Sequence, residues 1–247
     1  MKGIFIDINC DVGEGIGNEA ELLPLISSCN IACGGHAGDD FSMTQVVKLA
    51  KQHGVHIGAH PSYPDKENFG RVSVEIGATE LINSIQAQIN ALQSILNKEQ
   101  VRLHHIKPHG ALYNDLAKDE ALAESFLKAI ASFKDTTFLY VAPNSVIAKK
   151  AVQNGFKVKL EAFADRGYNE DLSLVSRTLP NAVLNDPKIV LDHLTMMVKD
   201  NKVLTVNGKE SDIAADTYCL HGDTPNALQI IMYLSQELPK QQIYIQK

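Results

Sequence analysis

The sequence predicts an α/β fold, a seven-stranded (β/α) barrel that is a distorted relative of the eight-stranded, TIM-like type, on three observations. Seven short apolar runs rich in β-branched residues recur along the 247 residues, and segments of helical periodicity lie between them. That alternation means parallel strands joined by helical crossovers. Polar, ionisable residues follow nearly every run, which suits a barrel, where all such segments share one mouth, better than an open sheet with a single switch point.

In chain order the strand candidates are "GIFIDIN" at 3–9, "NIACGGH" at 30–36, "VHIGAHP" at 55–61, "LHHIKPHG" at 103–110, "FLYVAP" at 138–143, "VKLEAFADR" at 158–166 and "DTYCLHGD" at 216–223. Among the helices, "SMTQVVKLAKQHG" at 42–54 ends in the glycine expected just past a C-terminus. The segment 78–98 sets Leu81, Ile85, Ile89, Leu92 and Leu96 on one stripe, with Thr79 as a candidate N-cap. Further helices are expected over 119–133, 144–155, 187–200 and 224–238, the last with Thr224 as cap and Pro225 at its first position. At 202–213 an Asn207-Gly208 turn between alternating residues reads as a hairpin appended before the last strand.

With 45% hydrophobic and 21% charged residues and no linker-like stretch, residues 1–247 read as one domain. The net charge is −6 and the 23 Lys and Arg residues are scattered, so nucleic acid is not an expected partner. The start, Met1-Lys2-Gly3-Ile4-Phe5-Ile6, reaches Asp7 too soon for the apolar centre of a signal peptide. No window approaches the ~18 apolar residues of a spanning helix, and the expected location is the cytoplasm, with no membrane partner. Cys10, Cys29, Cys33 and Cys219 lack structural-zinc spacing and read as buried thiols, Cys33 among glycines being the one of interest.

Parallel strands bring their C-terminal ends to one face. That convergence gathers Asp7, Asn9, Asp11 and Glu14 with His36 and Asp39, and His60, Tyr63, Asp65 and Arg71 with Lys107, His109, Tyr113 and Asn114. Glu161, Asp165 and Arg166, then His221 and Asp223, join them around a single cleft. Burying charges costs several kcal/mol each unless they are paired, and this many ionisable groups at strand ends therefore point to chemistry. His36, His60, His109 and His221 each end a different strand beside glycine or proline, whereas His53, His56, His104, His105 and His193 lie inside helix or strand patterns and read as structural. "HAGDD" reads either as a site segment or as a turn in which Asp39 or Asp40 caps the next helix, the latter favoured for Asp40. Three chemistries fit this set: a divalent metal, although no local ligand spacing supports one, general acid–base work beside a cationic clamp, and phosphate cradling by the glycine-rich segments at 13–17 and 33–39.

The blocks "DINCDVGEG", "NIACGGHAGD", "GAHPSYPDKENFGR", "HIKPHGALYN", "EAFADRGY", "SRTLPNA" and "CLHGDTPNA", in this order and over nearly the whole chain, closely resemble the LamB/YcsF family. The resemblance implies a barrel of the glycoside hydrolase/deacetylase type. It also implies a hydrolase acting on a cyclic amide C–N bond, as the A component of an ATP-dependent 5-oxoprolinase that opens 5-oxo-L-proline (pyroglutamate) to L-glutamate with partner subunits B and C. On that basis Asp11 with His60 or His109 is expected to polarise the attacking water. Lys107 and Arg166 would stabilise a phosphorylated carbonyl oxygen and the substrate carboxylate. Asn9, Arg71, Tyr113, Asn114 and Arg166 are the expected substrate- and phosphate-binding residues. Asp7, His36 and Asp39 are the expected metal ligands, and Mg²⁺ is expected to bridge the ATP phosphates, with Asn9, His36 and Asp39 as groups that orient or hold it. The alternatives are a metal-dependent deacetylase or carbohydrate hydrolase of the same barrel type, and a non-catalytic substrate-binding subunit. The family usually has an aromatic residue where Gly35 stands, a second arginine where Val72 stands and alanine where Cys10 stands, so a differently shaped cleft wall is expected. Lys107→Met is expected to harm turnover far more than folding, because a lysine at a barrel mouth contributes little to a core.

Overall fold

The computed structural model describes residues 3–247; Met1 and Lys2, at the head of the stretch read above as too short for a leader, lie outside the described residues. Parallel strands β1 (Ile4–Val12), β2 (Ser28–Ala32), β3 (His56–His60), β4 (His105–Ile106), β5 (Phe138–Val141) and β6 (Lys157–Phe163) pair in sequence order. An antiparallel hairpin, β7 (Lys202–Leu204) and β8 (Glu210–Asp212), follows, as the Asn207-Gly208 turn predicts. Then β9 (Thr217–Leu220) closes the barrel. Its Thr217 faces Glu161 of β6 on one side and Asp7 of β1 on the other.

A further strand, β10 (Ile243–Ile245), pairs with the first residues of β1 below the point where β9 takes over. Three residues among polar neighbours leave no alternation to read, so this strand is not among those expected from sequence. Crossover helices α2 (Asp40–Gln52), α3 (Ala78–Glu99), α5 (Glu120–Ala129), α6 (Val146–Gln153), α7 (Pro187–Asp200) and α8 (Ala227–Glu237) surround the barrel, with the short α1 (Glu19–Leu22) and α4 (Gly110–Leu116) inserted after β1 and β4. The stripe Leu81, Ile85, Ile89, Leu92, Leu96 of α3 is fully buried. None of the described helices is long and apolar enough to cross a membrane.

Three caps differ from expectation. Helix α3 is preceded by Gly77, with Thr79 already inside its first turn. Helix α8 begins at Ala227 after Asn226 in the left-handed region, because Thr224 spends its hydroxyl on the Asp165 carboxylate. At α2, Asp39 and not Asp40 is the cap: its carboxylate accepts the Ser42 N–H at 2.7 Å while the Ser42 hydroxyl accepts the Asp39 N–H at 2.9 Å.

Strand β1 decides what the barrel contains. Its residues alternate, so Ile6, Ile8, Cys10 and Val12 pack outward and Asp7, Asn9 and Asp11 point into the barrel. The inward polar set continues with Ser28 and Asn30 of β2, His105 of β4, Glu161 of β6 and Thr217 of β9, all buried. Asp7 accepts from Ser28 Oγ at 2.8 Å and Thr217 Oγ1 at 2.7 Å, and Asn9 donates to Thr217 Oγ1 at 2.8 Å. Where many barrels stack apolar layers, this one has a hydrogen-bonded polar network beneath its mouth.

Candidate active site

The mouth opens into a cleft of about 640 Å³ lined by residues that follow β1, β3, β4, β5, β6 and β9. At its floor stands Lys107, one residue past β4, whose backbone N–H is held by Ala59 O at 2.9 Å. The ammonium is 2% exposed and lies 3.0 Å from Asp11 Oδ1, 3.0 Å from Glu161 Oε1, 3.3 Å from Asn9 Oδ1 and 3.0 Å from Cys219 Sγ. Burial alone would lower the Lys107 pKa, but Asp11, Cys219 and Glu161 outweigh it and hold the group well above the usual lysine value. Asp11 mirrors this. Burial works against its charge, yet His60 and Lys107 keep its carboxyl well below the usual range. The expectation that Lys107 contributes little to stability is thereby corrected: it neutralises two buried carboxylates.

Apart from the ion pair of its Oε1 with Lys107, Glu161 completes no hydrogen bond in the described residues, nor does the Tyr113 hydroxyl, although both are buried and line the cleft. Orphaned polar atoms on a cleft wall are the ordinary mark of a ligand site.

One side of the cleft carries a histidine cluster. The loop after β4 turns at Gly110, where a Cβ would lie 2.4 Å from Gly70 O, and this close approach places His109 beside His60. His60 Nδ1 donates to Lys107 O at 2.8 Å and His109 Nε2 donates to Phe69 O at 2.9 Å, leaving His60 Nε2 and His109 Nδ1 to face each other at 3.0 Å. Glu14 Oε1 is 2.9 Å from His36 Nε2 and 3.4 Å from His109 Nδ1. Burial, with neighbouring His60, lowers the His36 pKa to about 3, and burial, with Asp11, raises Glu14 to about 7.

The opposite side carries a dyad. Asp165, two residues past β6 and fully buried, accepts from His221 Nδ1 at 2.9 Å, from the His221 backbone N–H at 3.0 Å and from Thr224 Oγ1. Burial would raise the Asp165 carboxyl, but His221 and Thr224 hold it below its ordinary value. His221, stacked on Phe163 with ring centroids 5.3 Å apart, is oriented by its Nδ1–H donation to Asp165, which leaves Nε2 as the ring nitrogen that Asp165 does not engage. Glu14, Glu161, Asp165 and His221 appear among the expected mouth residues but without a role. Their partners lie on strands distant in sequence, and only the closed barrel pairs them.

The remaining expected residues divide. Arg71 lines the cleft, pairs with Asp223 and covers the Phe69 ring with its guanidinium carbon 4.9 Å from the centroid. Tyr113 and the exposed Asn114 also line it. Arg166 reaches the wall but spends Nε on Ala182 O at 2.9 Å and a terminal nitrogen on Val175 O at 2.6 Å, so it braces the 175–184 segment. Asn9 lies under the cleft floor, where it holds Lys107 and Asn30 in place of substrate.

The expected metal set does not assemble. Asp7 is deep in the barrel, bonded to Ser28 and Thr217, and Asp39 is an exposed helix cap, so neither Asp7 with Asp39 nor Asn9 with Asp39 reaches His36. Strand β1 runs to Val12, three residues past its expected end at Asn9, and its inward face puts Asp7 and Asn9 inside the barrel. Gly35, Val72 and Cys10 do not line the cleft: a Cβ at Gly35 would lie 2.4 Å from Gln88 Oε1, Val72 is exposed on the surface and Cys10 is in the core. Cys33 is buried and its thiol is pushed up to about 12 by burial; Cys219, against Lys107, is the cysteine nearest the cleft floor.

A model of the LamB/YcsF family matches residues 6–247. The chain is 42% identical over 246 residues to a protein of Staphylococcus haemolyticus named as the A component of 5-oxoprolinase, covering 98% of both chains. A lactam utilization protein from Thermus thermophilus superposes with a TM-score of 0.91 at 35% identity, over 100% of this chain and 99% of that one. A family 4 carbohydrate esterase from Streptomyces lividans, at 9% identity and a TM-score of 0.50 over 99% of this chain and 92% of its own, shares the barrel fold alone.

Proposed function

The chain belongs to the LamB/YcsF family, and from that premise we propose that it is the ring-opening component of an ATP-dependent 5-oxoprolinase, working with partner subunits B and C. The observation that carries the reading is the floor of the cleft: a buried cation, Lys107, between Asp11 and Glu161, with the Asp165-oriented His221 on the far side. A lactam is a poor electrophile. ATP, with Mg²⁺ on its phosphates, would phosphorylate the ring carbonyl oxygen and leave as ADP, and a first water would add to that carbon. The ring nitrogen would leave with a proton to give a γ-carboxyl phosphate of glutamate, and a second water at the same carbon would release phosphate and glutamate.

Each step finds a group of suitable charge. His221 Nε2 takes the proton of the attacking water and returns it to the departing nitrogen, while Asp165 stabilises the imidazolium between the two events. Lys107 faces the oxygen that gains negative charge. Arg71, exposed at the rim and among the described residues paired only with Asp223, is the better clamp for the substrate carboxylate than the committed Arg166.

The test is reconstitution. The chain with subunits B and C, supplied with 5-oxoproline, ATP and Mg²⁺, should release glutamate and ADP in equal amounts. Absence of glutamate contradicts the reading. Full activity of Asp11→Asn in the complex would make this chain a binding scaffold, and zinc-dependent release of acetate from N-acetyl sugars would make it a deacetylase.

A further inference from the structure

We propose that Glu14, His36, His60 and His109 form a binding site for one divalent transition-metal ion, zinc being the reference case. The four groups come from the segments that follow β1, β2, β3 and β4, and their ligand atoms all lie within 4.8 Å of one another. The His60 Nε2 to His109 Nδ1 distance of 3.0 Å and the Glu14 Oε1 to His109 Nδ1 distance of 3.4 Å bracket the ~3.3 Å edge of a tetrahedron with ~2.0–2.1 Å bonds.

Hydrogen-bond accounting supports it independently. His60 Nδ1 and His109 Nε2 are each committed as donors to a backbone carbonyl, Lys107 O and Phe69 O. In the neutral rings the two nitrogens that face each other at 3.0 Å therefore both present lone pairs. Two lone pairs at that distance repel unless an electropositive centre lies between them, either a metal ion or the proton of a His60 imidazolium paired with Asp11 Oδ2 at 3.4 Å, and Zn²⁺ titration tells the two apart. A backbone carbonyl behind each ring is also the usual outer support of a metal-bound imidazole, fixing tautomer and ring direction before the ion arrives.

Binding needs one adjustment. The His36 and His109 rings are stacked with centroids 3.6 Å apart, so His36 must tilt for one ion to lie in both ring planes. Its Nδ1 is buried and has no partner in the described residues, so only the Glu14 contact at Nε2 holds the ring by a hydrogen bond. Three imidazoles and one carboxylate suit zinc, cobalt or nickel and not magnesium, which prefers oxygen ligands. Glu14, His60 and His109 also line the cleft, so the ion would sit at its wall. His60 and His109 would then be ligands, leaving the proton transfers to His221. The site stands apart from the 5-oxoprolinase reading, since ion binding is measured without substrate, ATP or other subunits.

The experiment uses the full chain, stripped with a chelator and titrated with Zn²⁺ by calorimetry, with Co²⁺ as an optical probe. The expected result is one ion per chain and the intense visible absorption of four- or five-coordinate Co²⁺. The double variant His60→Ala/His109→Ala should weaken Zn²⁺ binding by ~100-fold or more, and the conservative Glu14→Gln, with circular dichroism confirming its fold, by ~10-fold or more. Failure of the unaltered chain to take up Zn²⁺ overturns the proposal. So does uptake at unchanged affinity by Glu14→Gln and the double variant, which would place the ion elsewhere.

Discussion

Asp165 grips His221 twice, accepting the ring Nδ1–H at 2.9 Å and the backbone N–H at 3.0 Å. Tautomer and ring direction are thus set by one carboxylate that the barrel wall keeps out of water. His221→Gln should lower kcat of the reconstituted complex by about 10²–10⁴-fold with KM changed far less, because a general base acts only as the water attacks. Asp165→Asn should lower kcat in the same direction. A glutamate-release assay showing an altered KM and an unaltered kcat would assign the pair to binding.

Lys107 carries the second prediction. Replacing it by methionine leaves Asp11 and Glu161 buried without their shared cation, which should cost about 3–5 kcal/mol of stability besides abolishing turnover. Urea unfolding of the isolated chain reads this directly. A variant as stable as the parent would show that water, and not Lys107, neutralises the carboxylates.

A third prediction concerns Gly58 of β3. A Cβ there would lie 2.1 Å from His105 Nε2, and that ring cannot retreat, being bonded to Asn30 Oδ1 at 2.6 Å and stacked on Tyr140 with centroids 4.0 Å apart. Gly58→Ala should therefore destabilise the chain by about 1–3 kcal/mol, read as a lowered urea midpoint. Gly15→Ala, where a Cβ meets nothing within 4 Å but φ is +84°, should act through backbone strain alone and cost less.

Acid stability provides the fourth. Burial lowers the His104 and His193 pKa values to about 4, with His56 and Lys159 adding to the effect at His104. The unfolded chain takes these protons near pH ~6.5, whereas the folded chain resists them until about pH 4, so in that window the unfolded state binds more protons. Stability should fall as pH drops from about 6.5 to 4 and be insensitive to these two groups above about 7. Urea midpoints measured across that range check the sign, and a midpoint that rises towards acid pH contradicts it.

The barrel was legible because each strand is short, apolar and followed by a polar cluster, and the same clusters marked the cleft. Lys107, His60 and His109 were readable as residues beside proline or glycine at strand ends. Asp7 and Asn9 read as mouth residues because "DINCDV" alternates polar and apolar residues, and a strand whose polar face is buried inside a barrel looks from sequence like a strand that is ending. Asp39 reads as a metal ligand because a helix cap and a ligand are both carboxylates after glycine; the Ser42 contacts distinguish them. The pairing of Asp165 with His221 spans 56 residues, and the register of β6 against β9 creates it. Helix α4 is not legible in the sequence because Gly110 opens it, where glycine ordinarily ends helices.

The central claim, that this cleft opens an ATP-activated lactam, is tested most directly by the fate of the lactam oxygen. The chain, reconstituted with subunits B and C, is supplied with 5-oxoproline labelled with ¹⁸O at the ring carbonyl, and the released phosphate is analysed by mass spectrometry. Phosphorylation of that oxygen followed by water attack at carbon places one ¹⁸O in each phosphate formed with glutamate. Unlabelled phosphate, with the ¹⁸O retained in the new carboxylate of glutamate, would contradict the account.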